Sequence, residues 1–428
     1  MTAQHSLLNL TITIMPKVSA PHEIQSLDVF LQDLKVGTIV RTPGDFNAFS
    51  LETEYRKLAK PPIVSLSFRS ANGGLRNDPK PTLHTLPAFF ANMLPEERLR
   101  EAMEKHHAGK VRSGNDFDLL TALGGDLPGA VRALPSDGSA TSPPPGAAGA
   151  IKARFSLAGV QMKLSVMKNT DKEGGLTLPI GDGQGQYIAK FPSTNHIGLS
   201  ENEFAMLALS EALGMDVPER ELVDKSAFEG IPEEFNTHST GKVLLVKRFD
   251  RGAKGARIHI EDFAQIFGVP PSRKYDGASY HDIASALNAA VSIDAAIEFV
   301  RRLAFAALIG NGDMHLKNWS TIYPGDGLTP ALAPVYDVLS SVPYLPKDQM
   351  ALSLGGEKPF RALTPIVWRK FSNRARLPEK AVLMAVEQVV TSVNEHWWKL
   401  PERSVVPASV LERIDDHVRM MSNVLPPG

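Results

Sequence analysis

The chain has 428 residues, 43% of them hydrophobic, with 46 Lys and Arg against 47 Asp and Glu, a formal net charge of -1, and no cysteine. Such a composition builds a sizeable core and two or three domains. It excludes disulfides, thiolate catalysis and cysteine-based zinc sites, and it gives no global basic excess of the kind that binds nucleic acid directly.

The N-terminus alternates Leu8, Leu10, Ile12 and Ile14 with polar residues, a strand pattern of period two rather than the apolar run of a signal peptide. No stretch approaches the ~18 apolar residues that span a bilayer. A cytoplasmic protein without membrane association is expected. Val29–Leu31 and Val36–Val40 read as a hairpin, and Ile63–Phe68 as a further alternating strand. Leu86–Leu94 reads as a helix stopped by Pro95, and Asp116–Leu123 as a short helix ended by Gly124-Gly125. Residues 136–150, with three prolines among Ser, Gly and Ala, form the lowest-complexity stretch and read as a linker or exposed loop.

Strands are expected at Lys163–Met167, Tyr187–Phe191 and Val243–Phe249, with a helix over Asn202–Leu213 closed by Gly214. From about residue 253 the pattern turns helical. Ile293–Ile309 is the strongest helix, with Asp294 as its expected cap, and Ala381–Trp398 and Val410–Val424 close the chain. The expected organisation is an N-terminal α/β subdomain over 1–135, a linker over 136–153, a sheet-rich lobe over 154–252 and a helical lobe over 253–428. This is an α+β, two-lobed, protein-kinase-like arrangement, with a ligand cleft expected between the lobes.

The densest polar segment, Asn311-Gly312-Asp313-Met314-His315-Leu316-Lys317-Asn318, follows the most apolar helix. Asp313 and Asn318 stand five apart, the spacing of a kinase catalytic loop. In that chemistry the Asp accepts the proton of the attacking hydroxyl and the Asn helps hold a magnesium ion. Lys317 would neutralise charge on the phosphoryl group in flight, and His315 is grouped with them, although it equally suits a buried structural histidine. Nineteen residues after Asn318 comes Asp337, placed for a second metal ligand. Upstream, Lys190 sits alone in an apolar strand and needs a partner. Glu203, thirteen residues on, is the natural one, and Glu201 the alternative. The loop Phe155–Lys163 is a candidate cover for phosphates.

Each of these residues has a plainer reading. Lys190 can snorkel from an edge strand, Asp337 can cap a helix, and Arg248, Asp250 and Arg251 can be a salt-bridged strand end. Their order along the chain, with loop, Lys, Glu, Asp, Asn and Asp in kinase sequence, favours one ATP site.

Taken together these segments resemble the HipA-type serine/threonine kinases, toxins of bacterial type II toxin–antitoxin systems. The residues that carry the likeness are Ser156–Lys163, Ile188–Pro192, Val246–Arg251, Asn311–Asn318 and Tyr336-Asp337, with Leu86–Pro95 and Asp116–Leu120 in the N-terminal section. The resemblance implies that Asp313 is the catalytic aspartate, that Asn318 and Asp337 hold Mg2+, and that Lys190 contacts ATP phosphates. It implies that Lys247 and Phe249 lie at the hinge beside the adenine. Ala158, Gly159, Val160, Gln161 and Lys163 belong to the implied phosphate-covering loop. Ser156 matches the family's autophosphorylation site, where a phosphate adds about -1.5 to -2 charge and would eject the loop. Met162 stands where the family often has Glu, which leaves any loop contact made by that carboxylate unsupported here.

The implied partners are a helix-turn-helix antitoxin, operator DNA reached through that antitoxin, and a protein substrate of the aminoacyl-tRNA synthetase class. A small-molecule kinase and an idle antitoxin-binding co-repressor are the competing readings. The loop Arg273–Gly277 is a candidate contact for the target and equally a solvated loop.

Overall fold

The computed structural model describes residues 25–70, 72–76, 78–107, 109–138, 161, 163–168, 176–177, 185–228 and 241–425. The strand expected at Leu8–Ile14, the linker from residue 139 onward, and Ser156, Ala158, Gly159 and Val160 lie outside the described residues.

Alternation builds the first sheet. β1 (Ser26–Leu31) buries Leu27, Val29 and Leu31, and it pairs antiparallel with β2 (Leu34–Thr42) in the expected hairpin. β3 (Phe46–Leu51), α1 (Thr53–Lys57), β4 (Thr82–Leu83), α2 (Ala88–Ala91), α3 (Glu97–His106), α4 (Asp116–Leu123) and β5 (Val131–Pro135) follow. The strand order is β4-β3-β2-β1-β5. α4 has the expected bounds, because Asn115 caps its N-terminus by accepting from Asp118 N and Gly124 follows its last turn.

Two expectations fail in this section. Ile63–Phe68 is not a strand, and a 3-10 turn occupies Leu66–Phe68. Its backbone bonds to scattered partners, side chains among them, instead of a neighbouring strand. His259 Nε2 donates to Val64 O at 2.8 Å, and Leu66 N donates to Glu261 Oε1 at 2.9 Å. The helix expected over Leu86–Leu94 is a single turn, α2, after which Asn92 Nδ2 turns to donate to both Ala88 O and Val269 O at 2.8 Å.

The second sheet is β6 (Lys163–Lys168), β7 (Leu176–Thr177), β8 (Tyr187–Lys190), β9 (Arg220–Val223) and β10 (Val243–Lys247), in the order β7-β6-β8-β10-β9, with α5 (Leu199–Ala212) between β8 and β9. β10 is buried on both faces. Val243 and Leu245 face the core of the first sheet, while Leu244 and Val246 face the helical core, as a period of two demands. The first sheet and one face of the second therefore share a core.

The rest of the chain holds β11 (His259–Asp262), α6 (Phe263–Phe267), α7 (Tyr280–Ala290), α8 (Ile293–Ile309), β12 (Ser320–Tyr323), β13 (Ala331–Leu332), α9 (Pro365–Ala375), α10 (Glu379–His396) and α11 (Ala408–Val424). The small sheet β11-β12-β13 inside this otherwise helical section was not expected. Its strands are four residues or fewer, too short for periodicity to register. α8 is the central helix, buried on nearly every side. Its cap is Ser292, whose side chain accepts from Ala295 N at 3.1 Å, and not Asp294. It ends at Gly310, at φ +70°, where a Cβ would meet Val342 and His417 within 3 Å. Among the described residues, no helix is long and apolar enough to cross a membrane.

Candidate active site

A cleft of roughly 1120 Å³, counting the solvent at its mouth, opens between the second sheet and the helical section, large enough to admit a small-molecule ligand. Its floor is polar. Lys190, at the end of β8, donates to Glu203 of α5 and also to Asp337. Lys163 of β6 lies opposite Lys190 in register and donates to Asp337 Oδ2 at 2.7 Å. Two ammoniums facing each other across strands would repel, and the carboxylate between them removes that penalty. Glu201, the alternative partner, instead accepts from Lys242 N at 2.8 Å.

Burial alone would raise the Asp337 pKa, but Lys163 and Lys190 outweigh it and hold the carboxyl well below the usual range. Glu203 goes the other way: it is almost wholly buried, and burial with the nearby Asp337 charge raises its pKa. Lys190 stays an ammonium because both carboxylates more than offset its desolvation. No helix follows Asp337, so it caps nothing, and its φ of +52° is left-handed backbone that a β-carbon ordinarily avoids.

The catalytic segment forms the opposite wall. Asn318 Nδ2 donates to Asp313 O at 2.7 Å, which closes the segment on itself and fixes the orientation of the amide. Gly312 leaves room there for the Asp348 carboxylate, since a Cβ would lie 2.1 Å from Asp348 Oδ2. Asp313 stands open to solvent at the rim, and the protein crowding its carboxylate pushes the pKa up. Tyr275 Oη donates to Asp313 Oδ1 at 2.7 Å, so that tyrosine of the Arg273–Gly277 loop faces the site. His315 is buried and its ring meets Tyr275 edge-on at 4.9 Å. Burial, with Lys274 and Lys317, pushes its pKa down to about 3, so it is a neutral cleft-lining histidine at physiological pH. Lys317 lines the cleft and ion-pairs with Glu96, which also accepts from Lys274 at 2.8 Å.

Farther out, Lys247 and Phe249 line the same cleft. The N–H groups of Lys247 and Arg248 already donate to Glu219 O and Gln186 O at 2.8 Å, and the Lys247 ammonium pairs with Glu219. Phe249 packs on Tyr336 with centroids 5.6 Å apart, and Tyr336 Oη donates to Lys317 O at 3.0 Å. Arg248 grips Asp250 through two bonds of 2.8–2.9 Å, the salt-bridged strand end. Gln161 Nε2 donates to Phe191 O at 2.8 Å and Ser200 Oγ at 3.1 Å, tying its segment to the strand that carries Lys190.

The cleft thus gathers Lys190, Glu203, Lys247, Phe249, His315, Lys317, Asn318 and Asp337, with Lys163 and Asp313 at its edges. It also contains groups that sequence reasoning missed. Asn92, Met93 and Leu94 of the N-terminal section form part of its wall. Asp262, the cap of α6, lines it with a carboxyl that burial pushes up to about 6. Glu96 and Lys274 sit behind Lys317. The pattern D-F-x-Q at Asp262–Gln265 is a legible capping box, but nothing in the sequence places it at the site.

Comparison with known proteins fits this geometry. Residues 27–134 match the family model described as the HipA N-terminal domain, and residues 155–397 match the HipA-like C-terminal domain. The Sinorhizobium fredii protein named "Putative kinase Y4dM" is 42% identical over 409 residues, covering 94% of this chain and 97% of that one. The serine/threonine-protein kinase toxin HipA of Shewanella oneidensis is 25% identical over 356 residues, 73% of this chain and 77% of that one. A solved complex of Shewanella oneidensis HipA, HipB and operator DNA contains a chain that superposes with a TM-score of 0.70 at 22% identity, covering 93% of this chain and 97% of that one. The two-lobed kinase-like fold is shared.

Proposed function

This chain belongs to the HipA family of kinases, and from that premise we propose that it transfers the γ-phosphoryl group of ATP to a serine or threonine hydroxyl of a cellular protein. The observation that carries the reading is the Lys163–Lys190–Glu203–Asp337 cluster facing Asn318 across one cleft, with Asp313 at the rim.

Asp313 accepts the proton of the attacking hydroxyl, and its raised pKa moves it toward the range in which a carboxylate works as a base. Lys190, anchored by Glu203, holds nucleotide phosphate oxygens, and Lys317 offsets charge on the group in transfer. The donor set fits a magnesium ion. Asp337 is firmly ionised, and Asn318 has committed its amide nitrogen to Asp313 O, leaving its oxygen as a ligand. Asp337 and Asn318 would hold the ion, which supplies charge neutralisation at the phosphates. The phosphates would take over the two lysines that Asp337 now engages.

The family and the HipA–HipB–operator DNA complex support a helix-turn-helix antitoxin as partner, with DNA reached through it. By the same resemblance the chain acts as the toxin of a type II module in the cytoplasm, with an aminoacyl-tRNA synthetase as target class and phosphorylation of Ser156 as its off-switch. Incubation of the purified chain with γ-labelled ATP and Mg2+ tests the core of this reading. Asp313→Ala and Asp337→Ala are expected to abolish label transfer to protein with the far-UV circular dichroism unchanged. Wild-type rates in either variant remove that residue from its role, and label found only in small molecules moves the acceptor class.

A further inference from the structure

Glu96 is the one carboxylate in hydrogen-bond reach of both Lys274 and Lys317 among the described residues. It precedes α3 in the N-terminal section, 178 and 221 positions from the two lysines. Its two oxygens divide the work: Oε2 takes the Lys274 ammonium at 2.8 Å, and Oε1 takes that of Lys317. All three side chains are largely buried. Glu97 approaches Lys274 only to 4.0 Å and is exposed, so it does not duplicate the bond. Burial would raise the Glu96 pKa, but the two ammoniums outweigh it and lower it, so the carboxylate is ionised at neutral pH.

Hydrogen bonds brace the arrangement on both sides. Leu316 N donates to Lys274 O at 3.2 Å, so the main chain of the Lys274 turn braces the catalytic segment. The N-terminal wall is fixed by Asn92 Nδ2 on Val269 O and by Gln265 Nε2 on Phe89 O, at 2.8 and 2.9 Å. Two buried ammoniums brought this close would repel and swing apart without a shared anion.

We propose that Glu96 is a positioning residue for phosphoryl transfer, by which the N-terminal section holds the Lys274 and Lys317 ammoniums as a fixed pair at the catalytic segment. The proposal rests on the kinase reading for its catalytic consequence, and on the geometry alone for the pairing. It makes the N-terminal section part of the active site rather than an appendage.

The test uses the full chain and Glu96→Gln, which keeps shape and removes charge, with Glu96→Asp as the conservative partner. Lysines are first acetylated with an N-hydroxysuccinimide ester and mapped by mass spectrometry. Lys274 and Lys317 are expected to react slowly in the wild type and several-fold faster in Glu96→Gln. In the transfer assay, Glu96→Gln should lower kcat about tenfold with little change in KM for ATP, the signature of an interaction used in the transition state. Glu96→Asp should recover part of that loss. Adding Glu96→Gln to Lys317→Met should lower kcat little beyond Lys317→Met alone, because residues acting as a unit are non-additive. Unchanged lysine reactivity, a wild-type kcat, or full additivity would each overturn the proposal. Unmasking of both lysines in a chain that never transfers phosphate would uphold the pairing and sink the kinase reading instead.

Discussion

Replacing Lys190 with Met probes the floor of the cleft most directly. The substitution removes the ammonium that links Glu203 to Asp337. Asp337 keeps Lys163, but Glu203, with 1% of its surface exposed, is left without the cation that holds it. Breaking a buried ion pair on one side costs about 3–5 kcal/mol when the orphaned charge stays charged. Glu203 has an escape, since it can take up a proton. Its pKa is already raised, and losing Lys190 raises it further. A carboxyl whose folded pKa exceeds its unfolded value contributes most below the unfolded value, and that contribution is lost as pH rises through the folded one. The variant should therefore be about 3 kcal/mol less stable than wild type at pH 8, and only about 1 kcal/mol less stable at pH 5, where protonation relieves the buried charge. Urea denaturation followed by far-UV circular dichroism at the two pH values measures both differences. A penalty that is the same at pH 5 and pH 8 would refute the protonation argument. A penalty below about 1 kcal/mol at both would show that the cluster is not sealed from water.

Glu261 is fully buried, accepting from Ser65 Oγ, Leu66 N and Tyr323 Oη, and burial pushes its pKa from 4.5 up to about 7. Its contribution is complete below pH 4.5 and lost as pH rises through 7, a change of about 3 kcal/mol, so Glu261→Gln should gain stability relative to wild type between pH 5 and 8. Parallel urea midpoints across that range would contradict this. Tyr275→Phe removes the hydrogen bond that lowers the Asp313 pKa, and the acidic limb of the kcat/KM profile should move to higher pH; an unmoved limb would place the phenol outside the reacting geometry. Gly312→Ala drives a methyl into Asp348, and transfer should fall by about two orders of magnitude or more through displacement of the catalytic segment. Adding Asp348→Ala should restore part of it, and no restoration would mean that the strain lies elsewhere.

Much of the architecture was legible because it rests on local rules. The β1–β2 hairpin, α4 between Asn115 and Gly124, and the long apolar α8 each follow from periodicity and end signals. Where partners came from afar, the same rules misled. Ile63–Phe68 alternates like a strand, yet its backbone bonds to His259 and Glu261, almost two hundred residues away. The choice of Ser292 over Asp294 as the cap of α8 turned on a shift of two residues.

For the candidate site, the sequence by itself supplied the chemistry: a lone strand lysine, a glutamate thirteen residues on, and the Asp313, Asn318 and Asp337 series. It did so because charged groups in apolar surroundings demand partners, and that demand is visible in one dimension. Only the tertiary structure decided who those partners are. Asp337 takes two lysines on adjacent strands rather than capping a helix, and Glu203 rather than Glu201 receives Lys190. Glu96 reaches Lys317 across 221 positions. Coulomb attraction and hydrogen bonding act over a few ångströms of space, and neither depends on separation along the chain.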